Sequence, residues 1–422
     1  MSTIACENIA YTSFDRFPNQ KGAAIHINAF CHGLLSEFGS VTLITPETSP
    51  FVSSDRDFPR VRQNVLASGW EQVVVPALGD NLMERVLSFR RHADAWWRTR
   101  HATVIHFRSI FEGYPLARAK SSRCNKLVYE VNGLPSIELK YHYPSVADDV
   151  ELLTKLRAQE QFCLEAADLI VTVSHTNGAL LMKRGVDPAK IRVIPNGVDL
   201  DTFKFRPPEP LADRPLKLLY SGTFSPWQGV DLAIESLALL RRDHPASLVL
   251  VGAAVSRQLK AIVKTCQRFD VTEHVSILPA TTQAGLATLH HEADVILAPL
   301  RATERNTSQG CCPLKVIEAM ASGTPLIASD LPVVRELAEP DHDALLVRPG
   351  SAKAIKDALL HLLEQPKLGL HLSHTARETV ERRFTWKRAQ TDLVAAYREV
   401  LGVESRITTA DHKAHSVETN SV

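Results

Sequence analysis

The sequence has few cysteines, no long apolar run and almost no net charge, and each shortage excludes a class of protein. Its seven cysteines are odd in number and lack the spacing of metal ligands, which argues against a disulfide framework and favours a reducing compartment. No stretch approaches about 20 consecutive apolar residues, so we expect no membrane-spanning helix. The formal net charge of +1 gives no general attraction to nucleic acid, and we expect none as a partner.

The chain is long enough for more than one hydrophobic core. At 422 residues, with 45% apolar and 23% charged residues, it is expected to form two globular domains. The opening "MSTIACENIAYTSFDRFPNQKG" has no charged start followed by an apolar core, so we expect no signal peptide and a cytoplasmic protein.

Short apolar runs alternate with amphipathic stretches along nearly the whole chain. Strands are predicted at 41–45, 103–107, 126–132, 168–174, 191–195, 216–222, 246–252, 275–279, 294–300 and 325–330. Continuous apolar strands separated by helices are typical of parallel sheets covered on both faces. The sequence therefore predicts an α/β fold with two doubly wound sheets, joined at the proline- and charge-rich segment 204–215. Ligands bind beyond the carboxyl ends of such strands, which places the site in a cleft between the domains.

The segment 311–330 predicts a loop, a short helix, a turn and a buried strand. Pro313 suits the first helical turn and Gly323 suits the helix end. Lys315 and Glu318 lie three residues apart on this apolar helix, so they can share one face. They form either an ordinary surface ion pair or part of a ligand site at the start of the helix.

Glycine-containing loops precede two further helices. Gly22 stands before a helix that is predicted to begin at about Ala23, with Lys21 just before it and His26 in the first turns of the helix. A helix start offers unpaired N–H groups to an anion, although a plain surface turn explains this loop equally well.

In the second domain, a strand, Gly222, a polar loop and Gly229 precede another helix. Together with the loop 310–313 this gives two helix starts that can face one diphosphate. Lys315 would then supply positive charge, and Glu318 would accept hydrogen bonds from ribose hydroxyls.

Two stretches of the first domain also carry polar or cationic residues. Glu130, Asn132 and Gly133 follow a strand, so they either contact an acceptor sugar or form a simple strand-end turn. The helical stripe of 82–96 is surrounded by arginines. It either docks on an anionic membrane surface or packs on the sheet while its arginines are solvated.

Four segments resemble the retaining GT-B glycosyltransferases, the large group that includes glycogen-synthase-like and mannosyltransferase-like enzymes. The resemblance extends over about residues 15 to 400 and is strongest in the second half. It rests on "VSHTNGALLMKRGVDPAKIRVIPNGVDLDTF", "YSGTFSPWQGVDLAIESL", "PLKVIEAMASGTPLIASDLPVVREL" and "ALLVRPGSAKAIKDAL".

The resemblance implies two Rossmann-like domains around a central cleft. It implies an acceptor domain over 1–200, a nucleotide-sugar donor domain over 201–384 and a final helix, 385–402, that crosses back onto the first domain; the tail 403–422 is expected to be disordered. Glu318 matches the family's second glutamate, Gly22 matches a glycine close to the donor phosphates, and the backbone after "VSILPA" matches the position of the base.

We accordingly expect three groups of site residues and no metal or cofactor beyond the donor substrate itself. The expected catalytic residues are Lys315 and Asn132. The expected donor-binding residues are Gly22, Gly222, Thr223, Gln228, Cys311, Cys312, Leu314 and Glu318. The expected acceptor-binding residues are His26, Glu130 and Gly133.

Three positions depart from the family pattern. The family's first glutamate falls on Gly310, and the arginine and lysine that usually contact the diphosphate fall on Thr223 and Gln228. Lys315 is the cation that remains nearby, with Arg301 and Arg305 as further candidates.

The function expected from the resemblance is retaining transfer of a hexosyl group from a nucleotide-diphosphate sugar to a saccharide or lipid-linked glycan, in polysaccharide or glycoconjugate biosynthesis. The first domain would then contact the inner face of a membrane if the acceptor is lipid-linked. The three departures make a degenerate, non-catalytic nucleotide-sugar-binding module the alternative. A two-domain sugar-nucleotide epimerase fits less well because no paired carboxylates are evident.

Overall fold

The computed structural model describes residues 8–47, 61–66, 69–209, 211 and 214–403. The described chain forms two sheets, each flanked by helices. The predicted disordered tail, apart from Val403, lies outside the described residues.

The first sheet has eight strands in the order β3-β4-β2-β1-β5-β6-β7-β8, and all neighbours pair in parallel except β3 with β4. Its strands are β1 Ile9–Thr12, β2 Val41–Pro46, β3 Arg62–Val65, β4 Glu71–Val75, β5 Ala102–Phe107, β6 Cys124–Val131, β7 Leu169–Thr172 and β8 Ile191–Val193. The helices of this half are α1 Gly22–Phe38, α2 Leu82–Trp97, α3 Ile110–Arg118, α4 Lys120–Arg123, α5 Pro135–His142, α6 Val150–Ala166 and α7 His175–Lys183.

The second sheet has six parallel strands in the order β11-β10-β9-β12-β13-β14. Its strands are β9 Leu216–Ser221, β10 Ala246–Val251, β11 Val275–Leu278, β12 Val295–Ala298, β13 Leu326–Ser329 and β14 Leu345–Val347. The helices that follow the first half are α8 Val230–Leu240, α9 Ser256–Arg268, α10 Gln283–Glu292, α11 Leu314–Ser322, α12 Pro332–Arg335, α13 Ala352–Glu364, α14 Pro366–Arg383 and α15 Trp386–Leu401.

The predicted α/β architecture is confirmed, because every strand that the apolar runs predicted overlaps an observed strand. The exact domain boundaries stay predictions. The ten predicted strands did not include β1, β3, β4 or β14. The four residues of β3 are all exposed, and an edge strand without a buried face carries no apolar signal. Within the described residues, no helix is both long and apolar enough to cross a membrane.

The last helix, α15, crosses back onto the first domain as expected. It packs against α1, where Gln390 Nε2 donates a hydrogen bond to the Ala29 carbonyl at 2.8 Å. The apolar stripe Ala389, Leu393, Ala396 is buried in this contact. The last helix is therefore part of the first domain, although the chain leaves that domain before the second sheet begins.

Helix α2 buries Val86 and Phe89 of the predicted stripe 82–96, and it also buries Trp97, which lies just beyond that stripe. Arg90 donates hydrogen bonds to the carbonyls of Phe111 and Ile110 at 2.7 Å. The stripe therefore packs on the domain core, while the opposite face of the helix remains exposed.

Candidate active site

A cleft of about 700 Å³ lies between the two sheets, beyond the carboxyl ends of their strands. Its walls include Asn132, Gly222 and Gly252, which directly follow β6, β9 and β10. They also include Asp15, three residues after the end of β1. The position follows from the topology, because parallel strands end at one edge and adjacent connections diverge there.

Twelve of the thirteen predicted site residues line this cleft. They are Gly22, His26, Asn132, Gly133, Gly222, Thr223, Gln228, Cys311, Cys312, Leu314, Lys315 and Glu318. Their individual roles stay predictions. Glu130 is the exception, since it does not line the cleft and is fully buried behind it.

Lys315 and Glu318 lie in the first turns of α11 and are 7% and 5% exposed. Burial lowers the pKa of Lys315 to about 7, against the opposing effect of Glu318, and burial raises the pKa of Glu318 to about 7. Lys315 Nζ has no hydrogen-bond partner among the described residues and lies 4.1 Å from the centroid of the Tyr220 ring. A surface ion pair is therefore excluded as the explanation of these two residues.

Gly222 leaves room for this ammonium group. Its φ is +133°, and a Cβ at this position would lie 2.8 Å from Lys315 Nζ. The N–H of Gly222 donates to the Val251 carbonyl at 2.9 Å, so that amide is already used. The contribution of Gly222 to an anion site is therefore space rather than a hydrogen-bond donor.

Unpartnered polar atoms are frequent on the second-domain side of the cleft. Besides Lys315 Nζ, they include Ser221 Oγ, Trp227 Nε1 and Gln228 Oε1, all buried and without a hydrogen-bond partner among the described residues. Buried polar atoms in native proteins are normally paired, so such a cluster indicates a ligand that completes it.

On the first-domain side, Glu130 organises a buried network of charges. Its carboxylate accepts hydrogen bonds from His106 Nε2 at 2.9 Å and Arg108 Nε at 2.8 Å, and also from Asn132 Nδ2. Burial alone would raise the pKa of Glu130, but its electrostatic interactions with His26 and Arg108 and its hydrogen bonds hold that pKa well below its ordinary value. Glu130 therefore supports residues of the cleft wall instead of reaching the cleft.

Two cleft residues take their orientation from this network and its neighbours. Because the Glu130 carboxylate accepts from Asn132 Nδ2, the Oδ1 atom of Asn132 is left without a partner among the described residues. His26 Nδ1 lies 2.7 Å from Asn196 Oδ1, and Asn196 Nδ2 donates to the Cys312 carbonyl at 2.8 Å. His26 Nε2 lies 3.0 Å from Glu130 Oε1 without forming a directed hydrogen bond.

The cleft is bridged by a π-helical turn, Arg305–Gln309, of the second domain. Arg305 Nε and Gln309 Nε2 both donate to Glu138 Oε1 at 2.8 Å. The next residue, Gly310, adopts φ +88°, and a Cβ there would lie 2.5 Å from Ser174 Oγ. A glutamate at position 310 is thus incompatible with this contact between the domains.

Of the two further candidate cations, only Arg305 lines the cleft. Arg305 lines the cleft but is paired with Glu138, whereas Arg301 pairs with Asp231 and does not line it. Asp199 accepts hydrogen bonds from the Asp201 N–H at 3.0 Å and from Thr202 Oγ1, so its carboxylate caps the local turn. Within the described chain, no three His, Cys, Asp or Glu side chains are arranged to hold a metal ion.

Sequence reasoning missed Arg108, Asn196, Tyr220 and Trp227. Arg108 follows β5 directly, so the rule that ligands bind beyond strand ends would have found it. Tyr220 reads as one more apolar residue of a buried strand, and nothing in the pattern marks its ring as the neighbour of a lysine.

Comparisons with known proteins agree with this architecture. The model of "Glycosyl transferases group 1" matches residues 201–379, and that of "Glycosyltransferase Family 4" matches residues 20–202. Sucrose-phosphate synthase from Thermosynechococcus elongatus superimposes with a TM-score of 0.76 at 22% identity, covering 94% of this chain and 99% of that one. The structure of Anabaena HepE with UDP and glucose gives a TM-score of 0.69 at 16% identity, covering 93% and 100%.

Sequence relatives point to the same group. The chain is 28% identical over 265 residues to a D-inositol 3-phosphate glycosyltransferase of Segniliparus rotundus, which covers 60% of this chain and 57% of that protein. It is 29% identical over 222 residues to a phosphatidyl-myo-inositol mannosyltransferase of Mycobacterium leprae, covering 51% and 56%. The aligned parts thus span less than two thirds of these relatives.

The fold is that of the GT-B proteins, with two Rossmann-like domains facing a cleft and a last helix that returns to the first domain. Within that class, the chain belongs to the family 4, group 1 glycosyltransferases.

Proposed function

We propose that this protein is a retaining glycosyltransferase that transfers a hexosyl group from a nucleotide-diphosphate sugar to a saccharide or lipid-linked glycan. The observation that carries the proposal is the buried, unpartnered ammonium of Lys315 at the start of α11, facing a cleft between two domains. An isolated buried charge is unfavourable unless a ligand of opposite charge completes the site.

The reaction follows from where negative charge develops. The bond between the anomeric carbon and the diphosphate oxygen breaks, the acceptor oxygen attacks the same face, and the acceptor proton passes to a donor phosphate oxygen. Lys315 stabilises the departing diphosphate, which makes it the main catalytic residue of the proposal. Glu318 holds the ribose hydroxyls, and no metal is needed if the ammonium and the start of α11 neutralise the charge.

The acceptor would be held by the first domain. Asn132 lines the cleft and its Oδ1 has no partner among the described residues, so this oxygen is proposed to accept a hydrogen bond from the acceptor hydroxyl. His26 and Gly133 line the same side. The fixed orientation of the Asn132 amide supports this role, because its Nδ2 atom is already engaged by Glu130.

A lipid-linked acceptor would bring the enzyme to the inner face of a membrane. Met83 and Leu87 of α2 are 61% and 50% exposed, and Arg91 lies one turn further on the same helix. The M. leprae relative carries a name that specifies a phosphatidylinositol acceptor. Sedimentation with vesicles of anionic lipid at low and high salt tests this contact, and Met83→Ser with Leu87→Ser should abolish it.

A non-catalytic nucleotide-sugar-binding module is the second candidate. It is favoured by the neutral residues Thr223 and Gln228 at positions where the resemblance implies cations. The Gly310 departure gives it less support, because the close contact with Ser174 explains a glycine there.

Thermal-shift measurements with UDP-, GDP- and ADP-sugars distinguish the candidates when they are followed by turnover assays with each stabilising donor. A bound ligand raises the melting temperature by mass action. Stabilisation with hydrolysis or transfer supports the enzyme, and stabilisation without any turnover supports the binding module. The absence of any stabilisation, together with the absence of turnover, would contradict both.

A further inference from the structure

The ring of one buried residue lies directly under the candidate catalytic ammonium. Tyr220 is fully buried at the end of β9, and its ring centroid is 4.1 Å from Lys315 Nζ. An aromatic face attracts a cation at this distance, and the attraction is larger where water is excluded. Since Nζ has no hydrogen-bond partner among the described residues, the ring is a principal contact that stabilises its charge before a ligand arrives.

The hydroxyl of the same residue holds the adjoining loop. Tyr220 Oη donates a hydrogen bond to the Thr223 carbonyl at 2.7 Å. That loop carries Gly222, whose missing side chain leaves space for Lys315 Nζ, and Thr223, which also lines the cleft. One side chain therefore touches both parts of the candidate diphosphate site, the ammonium and the loop.

We propose that Tyr220 is the positioning residue of the diphosphate subsite, its ring holding the Lys315 ammonium and its hydroxyl holding the 222–223 loop. This inference rests on the proposed function, because it assigns the subsite to the diphosphate of the donor. It makes Tyr220 a support for Lys315, the cation that remains where Thr223 and Gln228 supply none.

The charge of Lys315 is set by few neighbours. Burial lowers the pKa of Lys315 to about 7, while Glu318 on the same helix, and Cys311 before it once it is deprotonated, favour the ammonium form. A bound diphosphate adds negative charge and favours the ammonium. Binding should therefore weaken as the pH rises above about 7, over a range that the Tyr220 ring helps to set.

The experiment measures the affinity of the full chain for inorganic pyrophosphate and for UDP, GDP and ADP by calorimetry between pH 6 and 9. The affinity of each protein is divided by that of Lys315→Met for the same ligand at the same pH. This ratio cancels the titration of the ligand itself. The variants are Tyr220→Leu, which removes the ring, and Tyr220→Phe, which removes only the hydroxyl. Tyr220→Met is a second ring-free variant in case Tyr220→Leu does not fold.

Tyr129 provides matched controls in the first domain. It is also a fully buried strand tyrosine, it stacks on Phe107 at 4.5 Å between centroids, and its hydroxyl has no partner among the described residues. Tyr129→Leu and Tyr129→Phe repeat the same chemical changes away from the cleft, and both should bind pyrophosphate as the unmodified protein does.

We expect Tyr220→Leu to weaken binding about three- to tenfold at pH 8 and to move the pH curve to lower pH. Tyr220→Phe should weaken binding about two- to threefold without moving the curve. A Tyr220→Leu or Tyr220→Met curve that superimposes on that of the unmodified protein would overturn this inference while leaving Lys315 in place. Lack of binding of every probe by the unmodified protein would instead overturn the proposed function itself.

Discussion

The two walls of the cleft treat their buried charges in opposite ways. On the first-domain wall, Glu130 is enclosed by His106, Arg108 and Asn132, and its pKa is held well below the ordinary value. On the second-domain wall, Lys315 and Glu318 have their pKa values shifted by burial toward the neutral forms. The central carboxylate of the first wall is paired without a ligand, whereas the Lys315 ammonium of the second wall has no hydrogen-bond partner among the described residues.

This difference separates stability from function within one site. A paired buried carboxylate stabilises the fold and fixes the orientation of its partners, whereas an unpaired buried ammonium costs stability that a ligand can recover. The sites of the largest stability loss and of the largest activity loss should therefore lie on opposite walls. The predictions below test this separation.

The largest effect is expected for Glu130→Gln. Removing this charge leaves Arg108 and the two histidines without their shared carboxylate, and breaking such a buried pair costs about 3–5 kcal/mol. The free energy of unfolding from urea titration should fall by that amount at pH 7. Because the pKa of Glu130 is lower in the folded than in the unfolded chain, its contribution is complete above about pH 4.3 and is lost as the pH falls through the folded value.

Glu112→Gln is the matched control for that variant. Glu112 is equally buried in the first domain, but burial raises its pKa to about 8 despite backbone hydrogen bonds that lower it. The folded protein thus already favours a neutral group at this position, so the glutamine should lower stability by less than about 1 kcal/mol. Equal losses for the two variants would contradict the contrast between a carboxylate paired with cations and one that the fold favours in its neutral form.

The second largest effect is a loss of turnover in Lys315→Ala. If the ammonium acts mainly on the departing diphosphate, kcat should fall about 10²- to 10³-fold, while the Kd for the donor rises about tenfold or less. Glu318→Gln should mainly raise the Kd, because the proposed function places Glu318 at the ribose rather than at the bond that breaks. Equal losses of kcat and affinity in Lys315→Ala would reject the transition-state role.

The third effect has the opposite sign, since Lys315→Met should stabilise the ligand-free protein. Lys315 has a lower pKa in the folded chain, so the unfolded chain binds more protons between about pH 7 and pH 10.5, and stability rises with pH through that window. Methionine removes the cost of burying the ammonium. The free energy of unfolding should therefore rise by about 1–3 kcal/mol at pH 6 and by little above pH 10. Thermal unfolding of the two proteins across this range measures it; a destabilised variant at pH 6 would contradict the prediction.

The sequence predicted the two sheets and most cleft residues because both follow from local patterns. Apolar runs identify buried strands, and residues after strand ends in parallel sheets meet at one cleft. The sequence could not predict that Glu130 lies behind the wall, since it stands only two residues before Asn132, which lines the cleft. It also could not predict the contacts of Gly310 and Tyr220, because these depend on how two distant segments approach each other in three dimensions.

The smallest effect is expected for an ion pair that spans the two walls near the surface. Lys140 of the first domain pairs with Glu304 of the second, and their side chains are 30% and 46% exposed. Solvent screening limits such a pair to about 0–1 kcal/mol, so Lys140→Ala should change the free energy of unfolding by no more than this, and less at 1 M salt. Glu304→Gln should match it. A loss above about 2 kcal/mol for either would show that the domains are held together by charge at the cleft rim.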